Sequence, residues 1–321
     1  MTGLRRGTCL ALLAVALATP ALAQTKKTPA PPPAAASADP NADAMFGAFQ
    51  RGAYLTAQTE ATKRAAQNDP KAMTMLGELY AQGLGVGRDD TKASQWYKMA
   101  AGLGDRDAIF ALAMFNFEGR AGERNPKDGA RLLDDAAKLG HAAAAYDLGL
   151  LYLQGTQVPQ DFTQAAALFG QAAEAGNSEA QYALATMYKE GRGVPQDKTK
   201  AMQLMGMASV AGNLDSMVEY AIAQFNGDGV AKDEEAADKL FLIAARRGSP
   251  IAQNRLARVL MAGRGMPADP TEAVKWHLIS KAGGASDPDL DAFAGKQAPG
   301  VQEAAKTAAN KWLSTRVALT P

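Results

Sequence analysis

Small, apolar and polar residues recur along the chain with a period of 36 residues. Each step of 36 from Gly83 reaches another glycine, and steps from Leu76 and from Ala72 keep their residue type at five of six positions. The six glycines are Gly83, Gly119, Gly155, Gly191, Gly227 and Gly263. A fixed period of this length is the signature of a repeat architecture. We therefore predict six gapless 36-residue repeats over residues 72–287.

Each repeat holds two stretches with the spacing of an amphipathic helix. In the fourth repeat, Ala180, Leu184 and Met187 lie at i, i+4 and i+7, which places them on one helix face. The following stretch repeats this spacing with Ala201 and Met205. Small residues on both contact faces let two helices approach closely, so each repeat is predicted to be an antiparallel helix pair.

Residues suited to helix ends separate these stretches. The position after the second helix holds Asn68 and then glycine at six equivalent positions as far as Gly284, and both residue types tolerate the left-handed conformation that ends a helix. The next position holds N-cap residues, with His141 and Ala285 as exceptions. These N-cap residues are Asp69, Asp105, Asn177, Asn213 and Ser249. The second helices are predicted to begin after Asp89, Asn125, Asp161, Asp197, Asp233 and Asp269.

The segment 72–104 contains the pattern A-x-x-x-L-G-x-x-Y-x-x-G-x-G-V-x-x-D-x-x-x-A-x-x-W-Y-x-x-A-A-x-x-G. This pattern resembles the Sel1-like repeat, a relative of the tetratricopeptide repeat with a longer loop. The resemblance implies an all-α fold, a right-handed α-solenoid of antiparallel helix pairs. The second repeat departs from the pattern, because GRAGERNPKDG replaces the usual loop and Asn116 replaces a tyrosine. Its loop is expected to project differently.

The segments on either side of the repeats are expected to cap the array. Residues 43–71 are predicted to form N-terminal capping helices from a degenerate repeat, with Ala57, Ala65 and Asn68 in register with a second helix. Residues 288–321 are predicted to hold one C-terminal capping helix, PGVQEAAKTAANKWLSTRV, and a tail. Stacked repeats need such caps because each end otherwise exposes apolar surface.

The first 42 residues do not fit the repeat. Arg5 and Arg6 precede the short apolar run CLALLAVALA, and small residues end at Ala23, as in a cleavable signal peptide over residues 1–23. The alternative, a retained membrane anchor, is disfavoured because the apolar run is too short to span a bilayer. Residues 24–42 are rich in proline and alanine and are predicted to form a disordered linker. The mature protein is therefore expected in the periplasm or outside the cell.

Composition excludes several function classes. The chain is 47% hydrophobic but only 7% aromatic, which favours helix. Cys9, the one cysteine, would be lost with the signal peptide, so disulfides and cysteine-ligated metals are not expected. That cleavage also removes two of 34 basic residues and none of 33 acidic ones, which leaves a net charge of −1. The chain has no surplus of basic residues that would indicate nucleic-acid binding. It also has no further apolar run that would indicate an integral membrane segment.

Candidate catalytic groups are few. His141 falls at a helix-cap position and His277 at a packing position shared with Tyr97, Phe169 and Phe241, which favours structural roles. The chain lacks the Ser-x-x-Lys, Gly-x-Ser-x-Gly and His-Glu-x-x-His motifs of common hydrolases. Its Gly-x-Gly pairs have no preceding strand and no Walker lysine. We predict no catalytic residue, no cofactor and no metal site.

One helix face changes from repeat to repeat. Positions 74, 78 and 81 lie at i, i+4 and i+7 of the first helix; these positions and their equivalents every 36 residues are here called the first-helix face. By resemblance to tetratricopeptide arrays, this face lines a concave groove that holds a partner segment; the alternative is that it packs in the core. The predicted partner-binding residues are Phe110, Met114, Phe117, Tyr146, Leu150, Leu153, Tyr182, Lys189, Ile222, Phe225 and Arg258.

These observations favour a non-catalytic protein–protein interaction scaffold. The family resemblance implies a role in the cell envelope, such as regulation of a sensor or assembly of a complex, with a protein or peptide as the partner. Two alternatives stay open. One is an envelope enzyme that acts on cell wall or β-lactams, although the paired cysteines of the family members linked to β-lactam binding are absent. The other is a secreted, host-facing effector.

Overall fold

A computed structural model describes residues 40–317 of the chain, with side chains from 44 to 315. This part contains sixteen α-helices and no β-strand. The predicted signal peptide and residues 24–39 of the predicted linker lie outside the described residues. The helices are α1 (Pro40–Gln50), α2 (Tyr54–Ala65), α3 (Pro70–Gln82), α4 (Asp90–Gly102), α5 (Arg106–Glu118), α6 (Pro126–Lys138), α7 (Ala142–Gln154), α8 (Phe162–Glu174), α9 (Ser178–Glu190), α10 (Lys198–Val210), α11 (Leu214–Asn226), α12 (Glu234–Arg247), α13 (Pro250–Ala262), α14 (Pro270–Ala282), α15 (Pro288–Gly295) and α16 (Pro299–Val317).

The helices from α3 to α14 form six consecutive pairs. Each first helix packs against the second helix of its own repeat, and each second helix packs against the first helix of the next repeat. This confirms the predicted all-α solenoid of helix pairs. The first helices begin at Pro70 and at each step of 36 thereafter. The repeats therefore start two residues before the predicted boundary at 72.

The helix ends follow the predicted capping residues. Gly191 ends α9 with φ 70°, and its five equivalents are also left-handed. Asp197 caps α10 by accepting a hydrogen bond from the Lys200 backbone N–H at 3.0 Å. His141 was expected to be an exception, but its Nδ1 accepts from the Ala144 N–H at 3.0 Å and caps α7. An unprotonated imidazole nitrogen is a hydrogen-bond acceptor, so it can cap a helix as the side-chain oxygen of aspartate or asparagine does.

The loop of the second repeat closes like the others. The Asn125 N–H donates to the Asn116 carbonyl at 2.9 Å, and the Asp197 N–H donates to the Tyr188 carbonyl at the same distance. Ala121 takes a left-handed φ of 58° where four other repeats have glycine. The expectation that this loop projects differently is therefore wrong for the backbone at its two ends.

Most loops also contact the preceding repeat. A Cβ at Gly193 would lie 2.2 Å from the Phe162 carbonyl oxygen, so only glycine allows this approach. A second contact involves the residue just before Gly193 and its equivalents in other repeats. This residue pairs with the first residue of the second helix in the preceding repeat, 30 residues away. These contacts are the ion pairs Arg120–Asp90, Lys198–Asp228 and Arg264–Glu234, and the stacking of Arg192 on the Phe162 ring. Between the second and third repeats the pair is Thr156 and Pro126, which carry no charge.

Alanine and glycine set the distance between the two helices of a repeat. Ala72 and Ala100, with their alanine equivalents, are fully buried. In the first and third repeats the second helix presents a large ring and the first helix has glycine, whereas in the fifth repeat Phe241 is matched by Ala221. A Cβ at Gly77 would lie 2.4 Å from Cε1 of Tyr97, and one at Gly149 would lie 2.7 Å from Cε1 of Phe169.

The two ends of the array differ from the predicted boundaries. Helix α1 begins at Pro40, inside the predicted linker, since proline is well suited to the first helical position. At the other end, α15 was not predicted, and residues 288–321 hold two helices instead of one. Ala285 cannot cap a helix, and Asp287 accepts from the Asp289 and Leu290 N–H groups instead. Helix α16 then packs on α14 with a Trp276–Trp312 edge contact at 5.9 Å.

We predict that Gly149→Ala lowers the melting temperature, although alanine is a better helix former than glycine. Overpacking against Phe169 costs about 1–3 kcal/mol. Gly170→Ala on α8 is the matched control, because the nearest atom to a Cβ there is Leu184 Cδ2 at 4.0 Å. It is expected to raise the melting temperature, since glycine weakens a helix by about 1 kcal/mol. Thermal unfolding followed by circular dichroism measures both.

Addition of Phe169→Met tests the cause of the Gly149→Ala effect. The double variant reproduces the Ala185–Met205 pair of the fourth repeat, so it is expected to recover part of the lost stability. Equal melting temperatures for the Gly149 and Gly170 variants would contradict this account of the helix spacing.

Candidate functional site

The first-helix face is half-buried along most of its length. Ten of the eleven predicted partner-binding residues are partly exposed, and Lys189 is exposed. The apolar members rest on the core with one side; Phe110, Tyr146 and Phe225 are examples. The face is thus neither a sealed core surface nor a free one. Its role in partner binding stays a prediction.

A cavity of about 590 Å³ lies at the N-terminal end of this face. Thr74, Glu78 and Ala81 of α3 and Phe110 and Met114 of α5 line it from the first-helix face. Two further lining residues come from α1, Phe46 and Phe49. Sequence analysis did not assign α1 to the site, because the repeat pattern contains no equivalent of this helix.

Charged and aromatic side chains fix one wall of this first cavity. Lys71 Nζ lies 2.9 Å from Asp105 Oδ2 and 2.7 Å from Asp107 Oδ2. The ring of His141 stacks on Phe110 with centroids 4.4 Å apart, and its Nε2 lies 3.7 Å from Asp107 Oδ1. Because Nδ1 accepts a hydrogen bond, this imidazole is held as the neutral tautomer with hydrogen on Nε2. The wall therefore combines an apolar surface with a satisfied polar network.

A second cavity of about 290 Å³ lies between α11 and α13. Ile222, Phe225, Arg258 and Met261 line it from the first-helix face. The Arg258 guanidinium is already bound, since its Nε and Nη2 donate to the two carboxylate oxygens of Asp287 at 2.6 and 2.7 Å. Burial would raise the pKa of Asp287, but the hydrogen bonds from Arg258 and Asn254 outweigh it and lower that pKa to about 2.

The central residues of the face lie outside both cavities. Tyr182 Oη donates to Glu219 Oε1 at 3.0 Å, and Lys189 Nζ donates to Glu219 Oε2 at 2.7 Å. Glu219 and Asp147 occupy the position after the first residue of the face, which sequence analysis missed. A signal was present there, because this position also varies from repeat to repeat. Its residues are Met75, Ala111, Asp147, Ala183, Glu219 and Arg255.

The described residues offer little for catalysis. His277 is buried at the predicted packing position, and its Nε2 lies 2.9 Å from Asp291 Oδ1. Across residues 40–317, no group of three or more histidine, cysteine, aspartate or glutamate side chains could hold a metal ion. Over the same residues, no helix has the length and apolar character needed to cross a membrane. The two cavities instead offer concave, largely apolar surfaces, which suit the binding of an apolar group.

Comparison with known proteins agrees with the repeat pattern. A family model described as Sel1 repeat matches residues 70–105, 106–141, 142–177, 178–213, 214–249 and 250–284. A solved Sel1 repeat protein from Oxalobacter formigenes aligns with a TM-score of 0.62 and 26% identity, over 75% of this chain and 96% of that chain. No curated protein matches the sequence.

A second solved structure shows the same fold at lower identity. It is a protective antigen of uropathogenic Escherichia coli, described as displaying an SLR fold. It aligns with a TM-score of 0.53 and 22% identity, over 81% of this chain and 64% of that chain.

We predict that His141→Asn weakens the pH dependence of stability. Burial lowers the pKa of His141 below its usual value, against the attraction of Asp107. A lowered pKa means that the neutral ring stabilises the fold above the unfolded-state pKa, and that this contribution is lost as pH falls through the folded-state pKa. Asparagine caps α7 without titrating, and a lost cap costs about 1 kcal/mol.

Melting temperatures of the two proteins between pH 8 and pH 5 check this prediction. The difference, wild type minus variant, is expected to become more negative as the pH falls. Both proteins share every other ionisable group, so the comparison isolates the change at position 141. Parallel pH profiles would show that His141 does not act through its cap.

Proposed function

The chain belongs to the Sel1 repeat family, and we propose that it is a non-catalytic scaffold of the cell envelope that binds a segment of a partner protein along its first-helix face. Sel1 repeat proteins generally act as protein–protein interaction scaffolds. The observation that carries the proposal is the pair of cavities lined by positions that vary between repeats. Positions that repeat build the helix pairs, and most positions that vary remain partly exposed.

The first cavity is the strongest anchor point for a partner. Phe46, Phe49, Phe110 and Met114 line it; Phe46 is exposed and the other three are half-buried. Partner segments that bind grooves commonly insert an apolar or aromatic side chain into such a pocket. Methionine adapts its shape to the inserted group. We therefore assign this cavity to an apolar side chain of the partner.

The envelope location rests on the predicted signal peptide at residues 1–23, which lies outside the described residues. A scaffold that regulates or assembles envelope proteins would meet its partner in the periplasm. The competing roles remain an envelope enzyme and a host-facing effector. Cell fractionation distinguishes these locations: recovery in the periplasmic fraction supports the proposal, and recovery in the culture medium favours the effector.

We predict that a photo-crosslinking amino acid captures a partner from position 114 and not from position 210. Met114 lines the first cavity, whereas Val210 is 92% exposed on a second helix, away from the first-helix face. Crosslinking in intact cells followed by mass spectrometry identifies the adducts. Adducts at position 210 alone would place the interaction surface on the second helices and contradict the proposal.

We also predict that Phe110→Ala, Tyr146→Ala and Phe225→Ala, combined in one chain, abolish capture of the crosslinked partner with a modest loss of thermal stability. The three side chains are half-buried, so their removal costs less than the 3–5 kcal/mol of a core phenylalanine. Met207→Ala and Val210→Ala, on an exposed surface of α10, form the control pair. A drop of several kcal/mol with each substitution would identify the face as core.

Hydrolysis assays address the remaining alternative. The purified protein is expected to leave peptidoglycan and β-lactams intact. Turnover of either substrate would favour the envelope enzyme over the scaffold.

A further inference from the structure

Asp147 is a carboxylate without a partner among the described side chains. It lies on α7 beside Tyr146, and its carboxylate makes no hydrogen bond or ion pair with any residue between 44 and 315. Burial raises its pKa to about 6. An ionised carboxylate that is taken out of water without a donor is unfavourable. The fold therefore keeps a costly group at this position.

The equivalent position two repeats later shows what Asp147 lacks. Glu219 lies 72 residues after Asp147, at the same point of α11. Its carboxylate accepts hydrogen bonds from Tyr182 and Lys189, which both belong to α9 of the preceding repeat. A phenol and an ammonium group thus satisfy the carboxylate across the boundary between two repeats.

Phenylalanines occupy the corresponding places in the repeat before Asp147. Phe110 and Phe117 stand on α5 where Tyr182 and Lys189 stand on α9. Neither side chain can donate a hydrogen bond or supply a positive charge. The faces of aromatic rings do attract cations. The repeat thus provides an anion and aromatic rings at this boundary, without the cation that completes the later one.

The surroundings of Tyr146 carry the same imbalance of charge. Burial raises the pKa of Tyr146, and the negative charges of Asp147 and Glu179 raise it further. Glu179 is exposed and accepts a hydrogen bond from the uncharged Ser178 hydroxyl. The Tyr146 ring lies 5.7 Å from that of Phe169, which holds it in place. Two carboxylates therefore act on this ring, and neither forms an ion pair with a described residue.

We propose that Asp147 binds one basic side chain, lysine or arginine, of the partner segment. The cation pairs with the carboxylate and lies against the aromatic rings of the neighbouring first-helix positions. This inference rests on the proposed function, because it requires a partner segment along the first-helix face. Charge complementarity is the argument for this occupant: the chain supplies the anion and the rings, and the partner supplies the cation.

Random 12-residue peptides displayed on phage provide the probe, selected on the immobilised purified protein. Binders are expected to carry lysine or arginine together with an aromatic or aliphatic residue. Exchange of that basic residue for glutamine is expected to weaken binding about tenfold or more. Asp147→Asn is expected to weaken binding of the basic peptide by a similar factor, and to leave binding of the glutamine peptide unchanged.

Two controls separate recognition from folding. Asp134→Asn removes an exposed carboxylate on α6 that pairs with Lys138, and it is expected to leave peptide binding unchanged. Asp147→Asn is expected to melt no lower than the wild type at pH 7. Because the folded-state pKa is raised, the ionised carboxylate destabilises the fold as pH rises from about 4 to about 6, and asparagine removes that effect.

The outcomes distinguish this inference from the proposed function. Suppose that the selected peptides contain no basic residue, bind the Phe110→Ala protein more weakly, and bind the Asp147→Asn protein as tightly as the wild type. This result would overturn the inference and leave the proposed function standing. Peptides that crosslink to position 210 and not to position 114 overturn both. A basic peptide whose affinity falls between pH 7 and pH 5 in the wild type, and not in Asp147→Asn, supports the pairing with Asp147.

Discussion

The close approach of the two helices within each repeat is the constraint on which the rest of the molecule depends. Alanine and glycine at the contact allow this approach, and a single Cβ at Gly77 or Gly149 would collide with a ring of the opposite helix. The same contact recurs in six helix pairs whose first helices begin 36 residues apart. Residues that face away from the contact are free to vary.

That freedom accounts for the variation along the first-helix face. Positions that build the pair repeat, because each repeat solves the same packing problem. The first-helix face and the position beside it do not repeat, and they carry phenylalanine, tyrosine, methionine, lysine, arginine and acids in turn. The array thus combines regularly repeated helix pairs with a first-helix face whose residues differ from repeat to repeat. A scaffold of this kind recognises a partner through the order of its side chains along several repeats.

Much of the fold could be predicted from the sequence, since caps are local features. A side-chain acceptor at Asp197 and a left-handed glycine at Gly191 fix helix ends without reference to distant residues. The candidate site was less accessible, because its properties arise between repeats. The Arg258 guanidinium is bound to Asp287, and α1 closes over the first cavity. Neither follows from the periodic pattern, because Asp287 is its last predicted residue and α1 precedes it.

The loop contacts between repeats differ from one boundary to the next. At four boundaries the loop and the preceding helix are joined by an ion pair or by an arginine on a ring, each a modest contribution at the surface. At the boundary between the second and third repeats the equivalent residues, Thr156 and Pro126, carry no charge, and Gln171 Nε2 donates a hydrogen bond to the Ala137 carbonyl instead. Because a repeat array is stabilised by the interfaces between neighbouring repeats, its cohesion is not uniform along its length.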